Sequence, residues 1–112
     1  MKGLIIKEKW LNLIFNGKKT WEIRNNNIKI RGKIGLIQSG TGKVYGECDI
    51  IDSITVTKEI LLNNKEKHQI NDENINNLSY NNPHAWVLSN IKKYSVPISY
   101  KHKNGSVIWV DI

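Results

Sequence analysis

Residues 17–24, GKKTWEIR, bring Lys19, Glu22 and Arg24 together directly after an apolar run, WLNLIF. A lysine drawn out of water loses part of its hold on a proton and becomes a usable base or nucleophile. A neighbouring carboxylate opposes that loss by stabilising the ammonium, so the same pair also reads as a structural ion pair. Strand alternation puts Glu22 and Arg24 on one face of TWEIR, with Trp21 and Ile23 on the other. Lys19 lies in the turn before the strand and is not bound by that alternation. The three charged groups are therefore free to converge at the mouth of a barrel, or to face water from an edge strand. Both readings stay open on the residues alone.

Other candidates are more scattered. GLIQSGTGK (35–43) lacks the lysine that a phosphate loop needs after its second glycine, because Thr41 follows Gly40. GTGKVYG misses the dinucleotide fingerprint by one residue of spacing. Gly40 and Gly42 read instead as hairpin-turn glycines with positive φ. Ser39 and Thr41, with the turn amides, are positioned to touch a phosphate. Lys7, Arg24 and Arg31 are candidate phosphate contacts. Trp10 and Trp109 read as core, whereas Trp21 or Trp86 offers a face on which a base stacks. Glu47, Asp49 and Asp52 read as a solvated strand face.

His68, His84 and His102 have no paired ligand spacing, so no metal site is expected. No cofactor is expected either. His68 and His102 are the histidines placed to enter a pocket. Together they would supply the base and the acid for metal-free RNA cleavage, with Lys19 stabilising the anionic phosphorus centre.

The elements that must position these groups form one domain, 1–112, of which 39% is hydrophobic. The net charge of +7 is uneven: residues 1–43 carry ten Lys/Arg against two Asp/Glu, and residues 44–112 carry seven against eight. A one-sided positive field attracts polyanions, nucleic acid first. The single Cys48 excludes an internal disulfide and a cysteine zinc cluster. No apolar run is long enough to span a bilayer. Glu8 and Lys9 interrupt the first apolar stretch too early for a signal peptide, so the expected location is the cytosol. No membrane contact and no obligate protein partner are expected.

GLIIK (3–7) reads as a buried strand and EKWLNLIFN (8–16) as a helix stopped by Gly17. TWEIR (20–24), KIGLIQS (33–39) and KVYGECDIIDSITVT (43–57) read as strands, with a bulge or bend at Gly46. Residues 58–70 begin like a short helix. The Asn-rich run ending at NNP (81–83) reads as loop. HAWVLSNI (84–91), VPISYK (96–101) and SVIWVDI (106–112) complete roughly seven strands, with an NG turn at 104–105. The pattern predicts an α+β fold, a small β-barrel with helical decoration.

A helix, then G-x-K-x-x-E, then a strand and a basic loop, resembles the ASCH domain, a branch of the PUA-like fold. Gly17, Lys19 and Glu22 match that motif. RGKIGLIQSGTGKVYGECDI (31–50) and HAWVLSNIKKYSVPISYKHKNGSVIWVDI (84–112) also look like small bacterial ASCH proteins, so the resemblance covers nearly the whole chain. It implies a PUA-like mixed β-barrel with an N-terminal helix, a short helical or loop insertion, and a cleft suited to RNA or a nucleotide. Some members hydrolyse N4-acetylcytidine, another is a ribonuclease, and others are domains of transcription coactivators. In the amidohydrolase members the catalytic lysine sits where Lys19 is, and a threonine sits where this chain has Glu22. Their catalytic glutamate comes later, before a helix, where Glu66 and Glu73 are the candidates. The resemblance thus implies an RNA or modified-nucleoside partner. It leaves open a hydrolase centred on Lys19 and Glu22, a non-catalytic RNA-binding module, and a ribonuclease.

Overall fold

The computed structural model describes residues 1–112. Its strands are β1 (Lys2–Ile6), β2 (Trp21–Arg24), β3 (Gly32–Gln38), β4 (Lys43–Thr55), β5 (His84–Ser99) and β6 (Trp109–Asp111). Its helices are α1 (Glu8–Phe15), α2 (Lys58–Leu62), α3 (Lys65–His68) and α4 (Asp72–Asn76). The six strands form one mixed sheet in the order β2-β5-β4-β3-β1-β6. Only β1 and β3 pair in parallel; the other neighbours are antiparallel. The sheet curls into a half-barrel, as a PUA-like fold requires.

Of three apolar clusters in this half-barrel, two position the elements of the site. The larger packs α1, through Leu11 and Ile14, onto Leu4, Ile6, Ile34, Leu36, Ile50 and Trp86. The second gathers Trp21 and Ile23 of β2 with Val56, Leu61, Ile75 and Ala85. The short helices therefore cover the outer side of β2, and this four-residue strand is buried on both faces. Cys48 is buried in the larger cluster, which pushes its thiol up to about 12.

Three elements differ from their predicted form. The strand expected at 106–112, after an NG hairpin turn, is the three-residue β6, which pairs with β1 and not with β5. Residues 84–91 and 96–101 are not separate strands, because β5 runs unbroken from His84 to Ser99. Its register against β4 jumps from Gly46↔Lys93 to Val44↔Ile98, so the segment around Pro97 bulges out of the ladder. There proline's missing N–H costs no sheet hydrogen bond. The Asn-rich run, predicted as loop, contains α4. The Asn71 side chain accepts from the Asn74 amide at 2.8 Å, an N-cap, and Ile75 anchors the turn in the second cluster.

Gly46 lies at the bend of β4, as its predicted bulge role demands. A Cβ there would run into the Lys92 carbonyl and sit 2.7 Å from the Phe15 ring. Neither a backbone oxygen nor a packed ring yields easily. Gly46→Ala is expected to destabilise the fold by about 3 kcal/mol, the upper end for overpacking. Urea unfolding would show this as a lower midpoint at unchanged slope.

Candidate functional site

The site forms where α1 gives way to β2. Gly17, at φ 81°, ends the helix, and the Lys18 and Lys19 amides both return to the Leu13 carbonyl at 3.0 Å. The next residue is pinned on both sides: the Thr20 amide donates to Lys67 O and its carbonyl accepts from the Leu88 amide, each at 2.8 Å. Lys19 is thereby fixed between the helix end and the strand, with its side chain turned inward and 2% exposed.

Its ammonium has three neighbours. Nζ donates to the main-chain carbonyl of His68 at 2.7 Å, lies 3.6 Å from Glu22 Oε1, and sits 4.8 Å from the Trp10 ring centroid. Glu22 is 5% exposed and is shared between two cations. Its Oε2 accepts from Arg24 Nε at 2.9 Å and from Nη2 at 2.7 Å. Arg24 Nη2 also donates to Ile5 O at 3.2 Å, and the guanidinium lies 5.7 Å from the Trp86 ring centroid. Burial drives the Lys19 pKa down; Glu22 resists that shift and the Arg24 charge adds to it. When Lys19 is neutral, its two N–H groups suffice for His68 O and Glu22, and its lone pair is spare.

Lys19, Glu22 and Arg24 share one wall of a cavity of about 400 Å³, within the range of small-molecule sites. Lys7, Trp10 and Ser39 contribute from the β1–α1 side, and Ile70, Asn74, Leu78 and Tyr80 from the helical insertion. A second cavity of about 450 Å³ adjoins it and shares Ile5, Ser39 and Val107.

The ASCH domain model matches residues 4–98. The chain belongs to the ASCH domain family. No curated protein matches it in sequence. Among solved structures, the crystal structure of ASCH from Zymomonas mobilis is similar at 14% identity and a TM-score of 0.72, over 88% of this chain and 72% of that one. A tyrosine-to-phenylalanine mutant of the same Zymomonas mobilis protein gives 14% identity and a TM-score of 0.73, over 88% and 74% of the two chains. A serine-to-alanine mutant gives 15% and 0.70, over 88% and 72%. At such identities the likeness is one of fold.

Of the sequence candidates, this ASCH domain brings Lys7, Lys19, Glu22, Arg24 and Ser39 to one cavity. The others stand apart. The Arg31 guanidinium holds the Ile28 and Ile30 carbonyls, both at 2.9 Å. The Thr41 hydroxyl closes its own turn, donating to Gln38 O at 2.7 Å. His102 lines the second cavity beside Tyr100. His68 lines neither, and its ring is fully used: Nε2 donates to Leu61 O at 2.6 Å, and Nδ1 accepts from the Ile70 amide at 2.9 Å. Burial also lowers its pKa, so it stands as a neutral strut rather than an acid or base. Trp86 has no free face for a base: it is wholly buried, donates to Asn26 O at 2.9 Å and stacks on Trp109. Neither Glu66 nor Glu73 lines the Lys19 cavity, and both are exposed.

The aromatic residues in the cavity are Trp10 and Tyr80. Trp10 was expected in the core. It sits one position off the Leu11–Ile14 stripe, which is the signal that it lies at the rim of the apolar face. Tyr80 and Asn74 gave no signal, because they reach the cavity only through the fold of the Asn-rich run.

Proposed function

We propose that this ASCH domain is a small hydrolase that removes an acyl group from a modified nucleoside, of the N4-acetylcytidine type, in the Lys19–Glu22 cavity. The observation that carries this reading is a buried lysine with a lowered pKa on the wall of a cavity of about 400 Å³. Neutral Lys19 takes a proton from a water as the water adds to the acyl carbon. The carbon–nitrogen bond then breaks, and the exocyclic nitrogen of the base receives that proton. The products are a carboxylic acid and the free nucleoside. Arg24 Nη1 makes no hydrogen bond within the protein and is available to the oxyanion of the intermediate.

One observation favours a second reading, a non-catalytic RNA-binding module. Glu22 is committed to Arg24 and Lys19, and no other carboxylate lines the cavity. A panel of acylated and unmodified nucleosides, followed by chromatography for release of the acid, separates the two. The hydrolase reading expects turnover of acylated cytidine. No turnover anywhere on the panel, together with RNA affinity that falls with salt by about 0.7 log units per log unit of salt for each phosphate contacted, establishes the binding module instead.

A further inference from the structure

The second cavity has no part in the chemistry above, yet it adjoins that site along Ile5, Ser39 and Val107. One side of it is the β3–β4 turn. Gly40 and Gly42 both have positive φ, at 82° and 66°, and neither amide N–H donates to any group of the protein. The other amides of this turn are used: Ser39 N donates to Ile6 O, Thr41 N to Gln38 O, and Lys43 N to the Thr41 hydroxyl. The Ser39 hydroxyl also has no partner within the protein. Across the cavity the Tyr100 hydroxyl lies 2.9 Å from His102 Nδ1. With Tyr100 donating to Nδ1, the proton of the ring rests on Nε2, which is then a further free donor. Two unpaired turn amides, a hydroxyl and an imidazole N–H make a donor-rich concavity, the chemistry of a phosphate site. No carboxylate lines it to repel an anion.

We infer that this second cavity binds the phosphate of a nucleotide whose base occupies the Lys19 cavity, so that the substrate is a phosphate-bearing nucleotide, free or within RNA, rather than a bare nucleoside. The inference rests on the nucleoside pocket proposed above. Nuclear magnetic resonance of the whole chain tests the two separately. Inorganic phosphate, titrated against chloride at equal ionic strength, should move the Gly40 and Gly42 amide signals saturably. Cytidine should move the Trp10 indole signal. Cytidine 3′- or 5′-monophosphate should move both sets and bind at least ~10-fold tighter than cytidine, as a charge-assisted contact provides. His102→Ala should reduce that ratio of affinities to less than ~3-fold, since one of the donors is gone. If the monophosphates gain nothing, a short RNA carrying the same base distinguishes an internal phosphodiester as the source. Silent glycine amides overturn the inference while leaving the nucleoside pocket standing. Glycine shifts with no gain for either monophosphate or RNA over cytidine also overturn it, because the anion site is then unconnected to the pocket. A silent Trp10 with every ligand removes the pocket itself, and the assignment of substrate falls with it.

Discussion

Lys19→Met is expected to lower kcat on an acylated cytidine by about 10²–10⁴-fold, the usual contribution of a positioned general base. KM should change far less, since methionine keeps most of the lysine's volume and the cavity keeps Trp10, Tyr80 and Arg24. The pH profile carries independent information. Burial holds the native pKa of Lys19 below the ordinary 10.5, and only the unprotonated amine accepts a proton. The wild-type rate should therefore climb with pH along a limb whose midpoint lies below 10.5, and this limb should be missing from the residual rate of Lys19→Met. Circular dichroism and thermal melting establish that the variant is folded. A folded variant with wild-type turnover, or one that retains the limb, removes Lys19 from the chemistry.

Glu22→Gln is expected to have the largest effect on stability. The substitution preserves shape but leaves two cations facing a neutral amide, with Lys19 2% and Arg24 19% exposed at the side chain. Breaking a buried pair from one side typically costs about 3–5 kcal/mol, because the remaining charge is uncompensated. Urea unfolding at neutral pH measures this. The double variant Glu22→Gln/Lys19→Met should lose less than the sum of the two single losses, as groups in contact do not add. The pH dependence has a definite sign. Since the native pKa of Lys19 is below its unfolded value, the unfolded chain binds more protons between the two. Stability from this group is present above 10.5 and is lost as pH falls through the native pKa. Without Glu22 the native pKa drops further, so the Glu22→Gln variant should gain stability with rising pH over a wider window than the wild type. A loss under about 1 kcal/mol would mean that the cluster behaves like an exposed ion pair.

Much of this arrangement was legible in the chain. The helix, its glycine stop and the strand after it follow from local spacing, and the Lys19–Glu22–Arg24 segment was found from residue type alone. Alternation placed Glu22 and Arg24 on one side of β2 correctly but could not tell whether that side was wet. That depends on α1 and Trp10 closing over it, which is tertiary. The opposite side of β2 is covered by α2–α4, drawn from a polar stretch whose helical signals are single residues: a Thr57 cap, an Asn71 cap, and Leu61 and Ile75 as anchors. Their weakness hid Asn74 and Tyr80 from the site. His68 was picked out as titratable, but its ring is satisfied at both nitrogens by main-chain groups that no spacing rule reveals.

The carbonyl that grips Lys19 belongs to His68, and its direction is set where α3 ends on Gln69 in the left-handed region, at φ 64°. A main-chain oxygen has no letter in the sequence. The anchor is kept wherever the turn survives, and here the buried His68 ring helps to hold that turn through Leu61 O and the Ile70 amide. A substitution that straightens the turn would displace the lysine without touching any residue of the motif. The anchor thus acts as a constraint on the length and shape of the segment that carries it, beyond the side chains that hold that segment in place.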